Sequence, residues 1–336
     1  MTKKSKILRI IDVNTNRAAE GIRVVEEICR FVLEDNRSAL ALKRMRGELA
    51  KIAKKIEISA SERLLVNRAA ERDIGKEFYT HSEKKRDGLT SIFQANCKRA
   101  QEALRCLEEF SKLIGPEYGK RFKGLRFGLY DWEKKIAPEI LKNEKLDFEV
   151  YVVTDPQFNH LAALRKVVAK GGKIIQLRDK RMSKNDYFKL AKKFSAITRR
   201  ARIVFILNDY WNMVEEVGAD GVHLGQEDLA GIELKSIRRK IGKEKIIGLS
   251  THSFQQAKKA ERLGADYISV GPIFRTPSKA LNKPVGLNLL KRVIRSVKIP
   301  VVAIGGINRS NVKAVNRLGC RRVAVIRAAD EMLSLN

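Results

Sequence analysis

VYVVTDPQ, residues 150–157, is a short β-branched run that ends in a turn without glycine. A doubly wound dinucleotide-binding sheet needs G-x-G-x-x-G directly after its first strand, so that the backbone can approach a pyrophosphate at a helix N-terminus. Nothing of that kind follows Val153, which argues against that fold. Seven further runs share its character: KIIQL (173–177), IVFIL (203–207), GVHLG (221–225), KIIGL (245–249), YISVG (267–271), VVAIG (301–305) and RVAVI (322–326). Near-continuous apolar strands alternating with helical segments belong to a parallel sheet covered on both faces. Eight of them predict an α/β fold whose C-terminal part, 148–336, is a closed (β/α)8 TIM barrel.

Upstream, residues 1–142 read as an all-α domain. In 16–33, Ile22, Val25, Cys29 and Val32 recur at helical spacing, and 38–56 continue in the same way with Asn36 as the expected cap. NTNRAAEGIRVVEE (14–27) returns as ANCKRAQEALRCLEE (95–109), and LKRMRGELAKIAKKI (42–56) returns as FKGLRFGLYDWEKKI (122–136). The unit is a helical hairpin written twice and joined by a polar loop at 57–88, which predicts a four-helix body with internal pseudo-twofold symmetry. The boundary between the two halves falls within 138–147.

Composition bounds what such a chain does. Its 336 residues have room for two cores, 44% are hydrophobic and 32% charged, and the formal net charge is +30. That charge suggests anionic partners or substrates, but the basic residues are scattered among acidic ones, as on a solvated surface. A nucleic-acid-binding protein is the competing class. It should show a clustered basic face with interleaved aromatics, which is missing, so no specific nucleic acid is expected. The four cysteines form no CxxC, and no stretch of about eighteen apolar residues occurs. A reducing, cytoplasmic setting without membrane insertion is the expectation, and a homo-oligomer is left open.

In a barrel of this type, polar residues just after each strand face the active site. Those positions hold Gln176, Arg178 and Lys180; Asn208 and Asp209; Gln226, Glu227 and Asp228; Ser250 and His252; Arg275, Thr276, Ser278 and Lys279; Gly305 and Gly306; and Arg327. Asp209 and Asp228 suit a hard cation with oxygen ligands, most naturally Mg²⁺. Arg178, Lys180 and Lys279 would neutralise a diphosphate, and Gly305-Gly306 exposes backbone N–H groups where barrels commonly bind phosphate. Small phosphorylated substrates are therefore expected. His223 falls inside a strand and reads as structural, and His252 reads as a loop residue.

QLRDK (176–180), ND (208–209), GVHLGQEDL (221–229), GLSTH (248–252), GPIFRTPSK (271–279) and AIGGI (303–307) together resemble thiamine-phosphate synthase. The resemblance implies joining of hydroxymethylpyrimidine diphosphate to thiazole phosphate, giving thiamine phosphate and pyrophosphate. It implies that Gln176, Arg178, Lys180, Asn208, Ser250 and Lys279 hold the pyrimidine diphosphate, with Arg178, Ser250 and Lys279 closest to the chemistry. By the same resemblance Asp209 and Asp228 hold Mg²⁺. Thr276, Ser278, Gly306 and the backbone at Ile326-Arg327 would hold the thiazole phosphate. The chain departs from the family in placing Arg327 where a small hydroxyl residue is usual, and in its short final segment ADEMLSLN. A thiazole tautomerase-like barrel is the alternative within the same fold, and it fits the full cation and carboxylate set less well.

IIDVNTNRAAEGIRVVEE, RDIG (72–75) and ANCKRAQEALRCLEE resemble a helical domain found fused ahead of thiamine-phosphate synthases. That likeness implies a hydroxymethylpyrimidine-phosphate kinase using ATP. No P-loop is present, so Arg and Lys side chains would grip the nucleotide. Arg17, Glu20, Arg23, Arg99, Glu102 and Arg105 are the candidate site residues. Their repeated order suggests two symmetry-related arms around one anion or metal; the alternative is a pair of solvated helix faces laced by i,i+3 and i,i+4 ion pairs.

Overall fold

The structure is a computed structural model that describes residues 2–68, 86–229, 231–276 and 283–335. The chain divides into two compact units, Met1–Glu144 and Lys145–Asn336.

The first unit is built on four long helices: α1 (Lys3–Glu27), α2 (Asn36–Ala60), α3 (Leu89–Phe110) and α4 (Pro116–Lys145), the last crossing the unit boundary by one residue. A π-helical turn, Ile28–Val32, ends the first of them. Asp35 caps α2, accepting from the backbone N–H groups of Arg37 and Ser38, so the expected cap at Asn36 is displaced by one residue. Asp and Asn cap equally well, and the aspartate reaches the free N–H groups first. Leu8, Ile11, Ile22, Leu42, Leu49, Phe93, Leu104, Phe122 and Leu129 are buried in one common core. Helices α1 and α3 pack closely: a Cβ on Gly21 would stand 2.8 Å from the Asn96 carbonyl oxygen and 3.0 Å from the Ala100 Cβ. A side chain there would force the two copies of the hairpin apart.

The second unit contains β1 (Val150–Val153), β2 (Ile174–Leu177), β3 (Val204–Asn208), β4 (Gly221–Leu224), β5 (Ile246–Thr251), β6 (Tyr267–Val270), β7 (Val301–Ile304) and β8 (Arg322–Val325). All pair in parallel in sequence order, and β8 returns to β1 through Val150↔Val323 and Val152↔Val325, closing the barrel. The fold is the expected (β/α)8 barrel preceded by a helical region. Each strand alternates between two cores. Val152, Ile175, Leu207, Leu249 and Val270 face the surrounding helices, while Tyr151, Val153, Ile174, Ile206, Ile246 and Tyr267 fill the barrel's interior. That double burial is why the strands read as unbroken apolar runs.

Candidate active site

The mouth of the barrel at the strand C-terminal ends opens into a cavity of about 460 Å³. Gln176, Arg178, Asn208 and Ser250 line one part of it. Thr276, Gly306, Ile326 and Arg327 line another. Eight of the residues assigned to substrate binding by resemblance therefore meet in one cavity, which Arg275 and Gly305 also line. Ser278 and Lys279 lie outside the described residues.

Local structure explains how these side chains are aimed. The Arg178 N–H donates to Thr154 Oγ1 (3.0 Å) just beyond β1. The buried Tyr187 hydroxyl donates to the Leu177 carbonyl (2.7 Å) and accepts from the Asn208 N–H (3.1 Å), fastening the ends of β2 and β3 together. Asp179, buried between Arg178 and Lys180, accepts from the backbone N–H groups of Arg181 (2.8 Å) and Met182 (3.2 Å) and faces the ring of buried His160 at 3.1 Å. Burial alone would push this carboxyl up, but those donors together hold it below the usual carboxylate range. The loop carrying Arg178 and Lys180 is thus tied down from within.

Gly305 and Gly306 adopt φ of +99° and +69°, which only glycine takes without strain. A Cβ on Gly306 would stand 2.4 Å from the Arg275 carbonyl oxygen, so the segments after β6 and β7 can approach only because side chains are missing. Arg327 turns toward the segment after β1, its Nη2 donating to Gln157 Oε1 at 2.8 Å.

Beside the cavity stand Asp209, Asp228 and Lys180. Lys180 Nζ lies 3.4 Å from Asp209 Oδ2 and 3.2 Å from Glu227 Oε1. Burial, then a hydrogen bond and charge repulsion from Asp228, push the Asp209 carboxyl up to about 6. Two carboxylates close enough to share a proton are the donor set a hard divalent cation would occupy, displacing that proton. The chemistry of this pair of carboxylates therefore fits a hard divalent cation such as Mg²⁺. Asp209 itself sits at φ +65°, a strained conformation for a non-glycine residue that turns its side chain out of the strand line.

Three further residues lie at or behind the cavity floor. Tyr151 and His223 line the cavity. Tyr267 lies fully buried between them, its hydroxyl 3.0 Å from that of Tyr151 and 2.8 Å from His223 Nδ1. His223 lies within β4 as read from the sequence, and its ring points inward, with Nε2 2.9 Å from Ser250 Oγ. His252 Nδ1 faces the Gly271 carbonyl, consistent with a loop role, although the residue also borders the cavity.

Two family models match the chain: one described as thiamine monophosphate synthase over residues 150–329, and one described as the ThiD2 family over 9–135. The chain belongs to the thiamine monophosphate synthase family. A thiamine-phosphate synthase of Synechocystis is 38% identical across 97% of this chain and 92% of its own length. One of Gloeobacter violaceus is 36% identical across 98% and 93%. Both matches run through the helical unit as well as the barrel, so the two-unit build is shared with these synthases. Among solved structures, thiamine phosphate pyrophosphorylase from Pyrococcus furiosus superposes with a TM-score of 0.51 at 32% identity, covering 57% of this chain and 96% of that one.

In the helical unit, two of the candidate residues, Arg23 and Arg105, fall into equivalent ion-pair lattices. Arg23 pairs with Glu26 (3.4 Å) and Glu27 on its own helix, and buried Glu26 is gripped from α2 by Arg46 at 2.7 Å. In the second copy, Arg105 pairs with Glu108 (2.8 Å) and Glu109 (3.1 Å), and buried Glu108 is gripped from α4 by Arg126 at 2.8 Å. The twice-written charges tie each hairpin together. Arg17, Glu20, Arg99 and Glu102 are exposed on α1 and α3, Glu102 lying 3.6 Å from Lys98. Among the described residues no cluster of three or more His, Cys, Asp or Glu side chains is placed to hold a metal. Nor is any described helix long and apolar enough to cross a membrane.

Proposed function

We propose that the barrel joins hydroxymethylpyrimidine diphosphate to thiazole phosphate, releasing pyrophosphate and thiamine phosphate. The observation that carries this reading is a single cavity combining a cationic, carboxylate-flanked side with an uncharged floor of Gln176 and Ser250. Breaking the bond between the pyrimidine methylene and diphosphate oxygen builds negative charge on the leaving group. Arg178, which lines the cavity, and Lys180 beside it would bind and neutralise it, and Lys279 is assigned the same task from its motif. Asp209 and Asp228 would hold Mg²⁺, which when bound supplies further neutralisation of diphosphate oxygens. Asn208, Gln176 and Ser250 would orient the pyrimidine, whose electron-rich ring stabilises the cationic methylene. Thr276, Ser278, Gly306 and the backbone at Ile326-Arg327 would hold the thiazole phosphate so that its ring nitrogen meets that carbon. No protein nucleophile is required, because positioning and charge stabilisation carry the reaction.

The helical unit is assigned the preceding step, ATP-dependent phosphorylation of hydroxymethylpyrimidine phosphate. Its match to the ThiD2 family supports this reading, as does the logic that one unit's product is the other's substrate. As clamps, Arg23 and Arg105 would have to exchange their helix-borne glutamates for phosphate, leaving Arg17 and Arg99 as the other basic candidates. The experiment uses the full chain. With ATP, Mg²⁺ and hydroxymethylpyrimidine phosphate alone, the diphosphate should accumulate; on adding thiazole phosphate it should convert to thiamine phosphate. Conversion only when the diphosphate is supplied ready-made would remove the kinase assignment and keep the synthase.

A further inference from the structure

A continuous hydrogen-bonded chain crosses the floor of the barrel, and its direction can be deduced. Gln176 Nε2 donates to the Tyr151 hydroxyl at 2.8 Å. A phenol has one proton. Satisfying the buried Tyr151 proton at Tyr267, 3.0 Å away, sends the Tyr267 proton on to His223 Nδ1 at 2.8 Å. A neutral imidazole that accepts at Nδ1 carries its proton on Nε2. His223 Nε2–H therefore donates to Ser250 Oγ at 2.9 Å, with Ser269 Oγ a longer neighbour at 3.4 Å.

Both ends of this chain open into the cavity. Gln176 has given one amide N–H inward, which fixes the amide's orientation and leaves its Oε1 and its second N–H toward a ligand. Ser250 accepts from His223 Nε2–H, so that nitrogen cannot take the serine proton, which is left to donate to a ligand. We propose that Tyr151, Tyr267 and His223 are positioning residues that fix the amide orientation of Gln176, with Oε1 toward the ligand, and keep Ser250 as donor. The two then read an amino group and a ring nitrogen on the same heterocycle. The inference rests on the pyrimidine reading above and adds to it a residue-level basis for choosing an aminopyrimidine over its oxo counterpart, in which a donor becomes an acceptor.

Burial supports a chain of fixed direction. Tyr151 and Tyr267 are fully enclosed, and desolvation holds both phenols well above their ordinary range, so neither gives up its proton and each passes on one hydrogen bond. The ring of Tyr267 also has a space kept for it, because Gly248 on the neighbouring strand presents no side chain. A site whose buried polar groups are committed in one sense rejects the wrong isostere by leaving them unpaired.

Two measurements on the full chain test this. In ¹⁵N-labelled protein, the ring nitrogens of His223 should show the neutral Nε2–H tautomer; a proton on Nδ1 would overturn the deduced direction. The second compares hydroxymethylpyrimidine diphosphate with the analogue carrying oxo in place of amino. Wild-type enzyme should prefer the amino substrate by at least about 100-fold in kcat/KM. Tyr267→Phe keeps the ring and breaks the chain, and it should reduce that preference at least about tenfold, as should His223→Leu. His223→Gln, which can still donate to Ser250, should retain more of the preference than His223→Leu. An unchanged ratio in Tyr267→Phe contradicts the inference. Failure of the wild-type chain to turn over the amino substrate at all would instead reject the pyrimidine reading, and the tautomer would still be decided by NMR.

Discussion

Gly248 lies directly against the ring of Tyr267: a Cβ at 248 would stand 2.1 Å from the ring's Cζ. The glycine is needed by a neighbour's side chain rather than by its own backbone, and the neighbour is the middle of the chain linking Gln176 to Ser250. Gly248→Ala should therefore destabilise the barrel by at least about 1–3 kcal/mol, the usual cost of overpacking a core. Adding Tyr267→Leu should relieve the crowding. Denaturant unfolding is expected to show stability recovered in the double variant, while its turnover stays low because the hydroxyl is gone.

The His160–Asp179 contact anchors the loop bearing Arg178 and Lys180. Asp179→Asn weakens three hydrogen bonds to a buried carboxylate and should cost about 1–3 kcal/mol at neutral pH. The pH dependence has a definite sign. Asp179 is depressed in the folded protein, so its contribution is complete above the unfolded carboxylate value, about 3.9, and disappears as pH falls through the lower folded value. The stability gap between wild type and variant, measured by unfolding across pH 7 to 3, should be constant down to about pH 4 and then close.

In the helical unit, Glu26 and Glu108 should behave as equivalent structural anchors. Each is buried, while the arginines that meet it reach solvent to different extents. Glu108→Ala should cost about 2–3 kcal/mol, below the range of a fully buried pair because the stranded arginines can hydrate. Glu26→Ala should cost a similar amount, and thermal unfolding of the two variants checks it. A loss confined to one copy would mean that the duplicated lattices are not equivalent.

Chelation separates the proposed metal from ordinary surface charge. EDTA should abolish thiamine phosphate formation and excess Mg²⁺ restore it. Asp209→Ala and Asp228→Ala should each lower kcat by at least about 100-fold while the barrel remains folded by circular dichroism.

Much of this architecture is legible in the amino-acid order, for a physical reason. Strands packed on both faces, such as Val204–Asn208 and Val301–Ile304, stand out as apolar runs that close on Asn208-Asp209 or Gly305-Gly306. Residues at those ends converge because parallel strands put all their C-termini at one mouth. The Tyr151–Tyr267–His223 chain is not legible. Its members lie within β1, β6 and β4, where any inward residue looks like core, and their contacts span up to 116 positions in sequence. The repeated charges of α1 and α3 were visible, but their meaning depended on Arg46 and Arg126, which reach across from other helices. A helix read alone shows its own i,i+3 and i,i+4 pairs and not the partner that makes them structural. Asp35 and Asn36 are both good caps, and only the backbone path decides between them.

The central claim is that this cavity unites a pyrimidine diphosphate with a thiazole phosphate. The most direct test supplies the full chain with both compounds and Mg²⁺ and follows thiamine phosphate and pyrophosphate together. The account expects the two products in equal amounts, dependent on both substrates and lost in Arg178→Ala. Pyrophosphate released without thiamine phosphate, or no reaction of the wild-type chain, would contradict it.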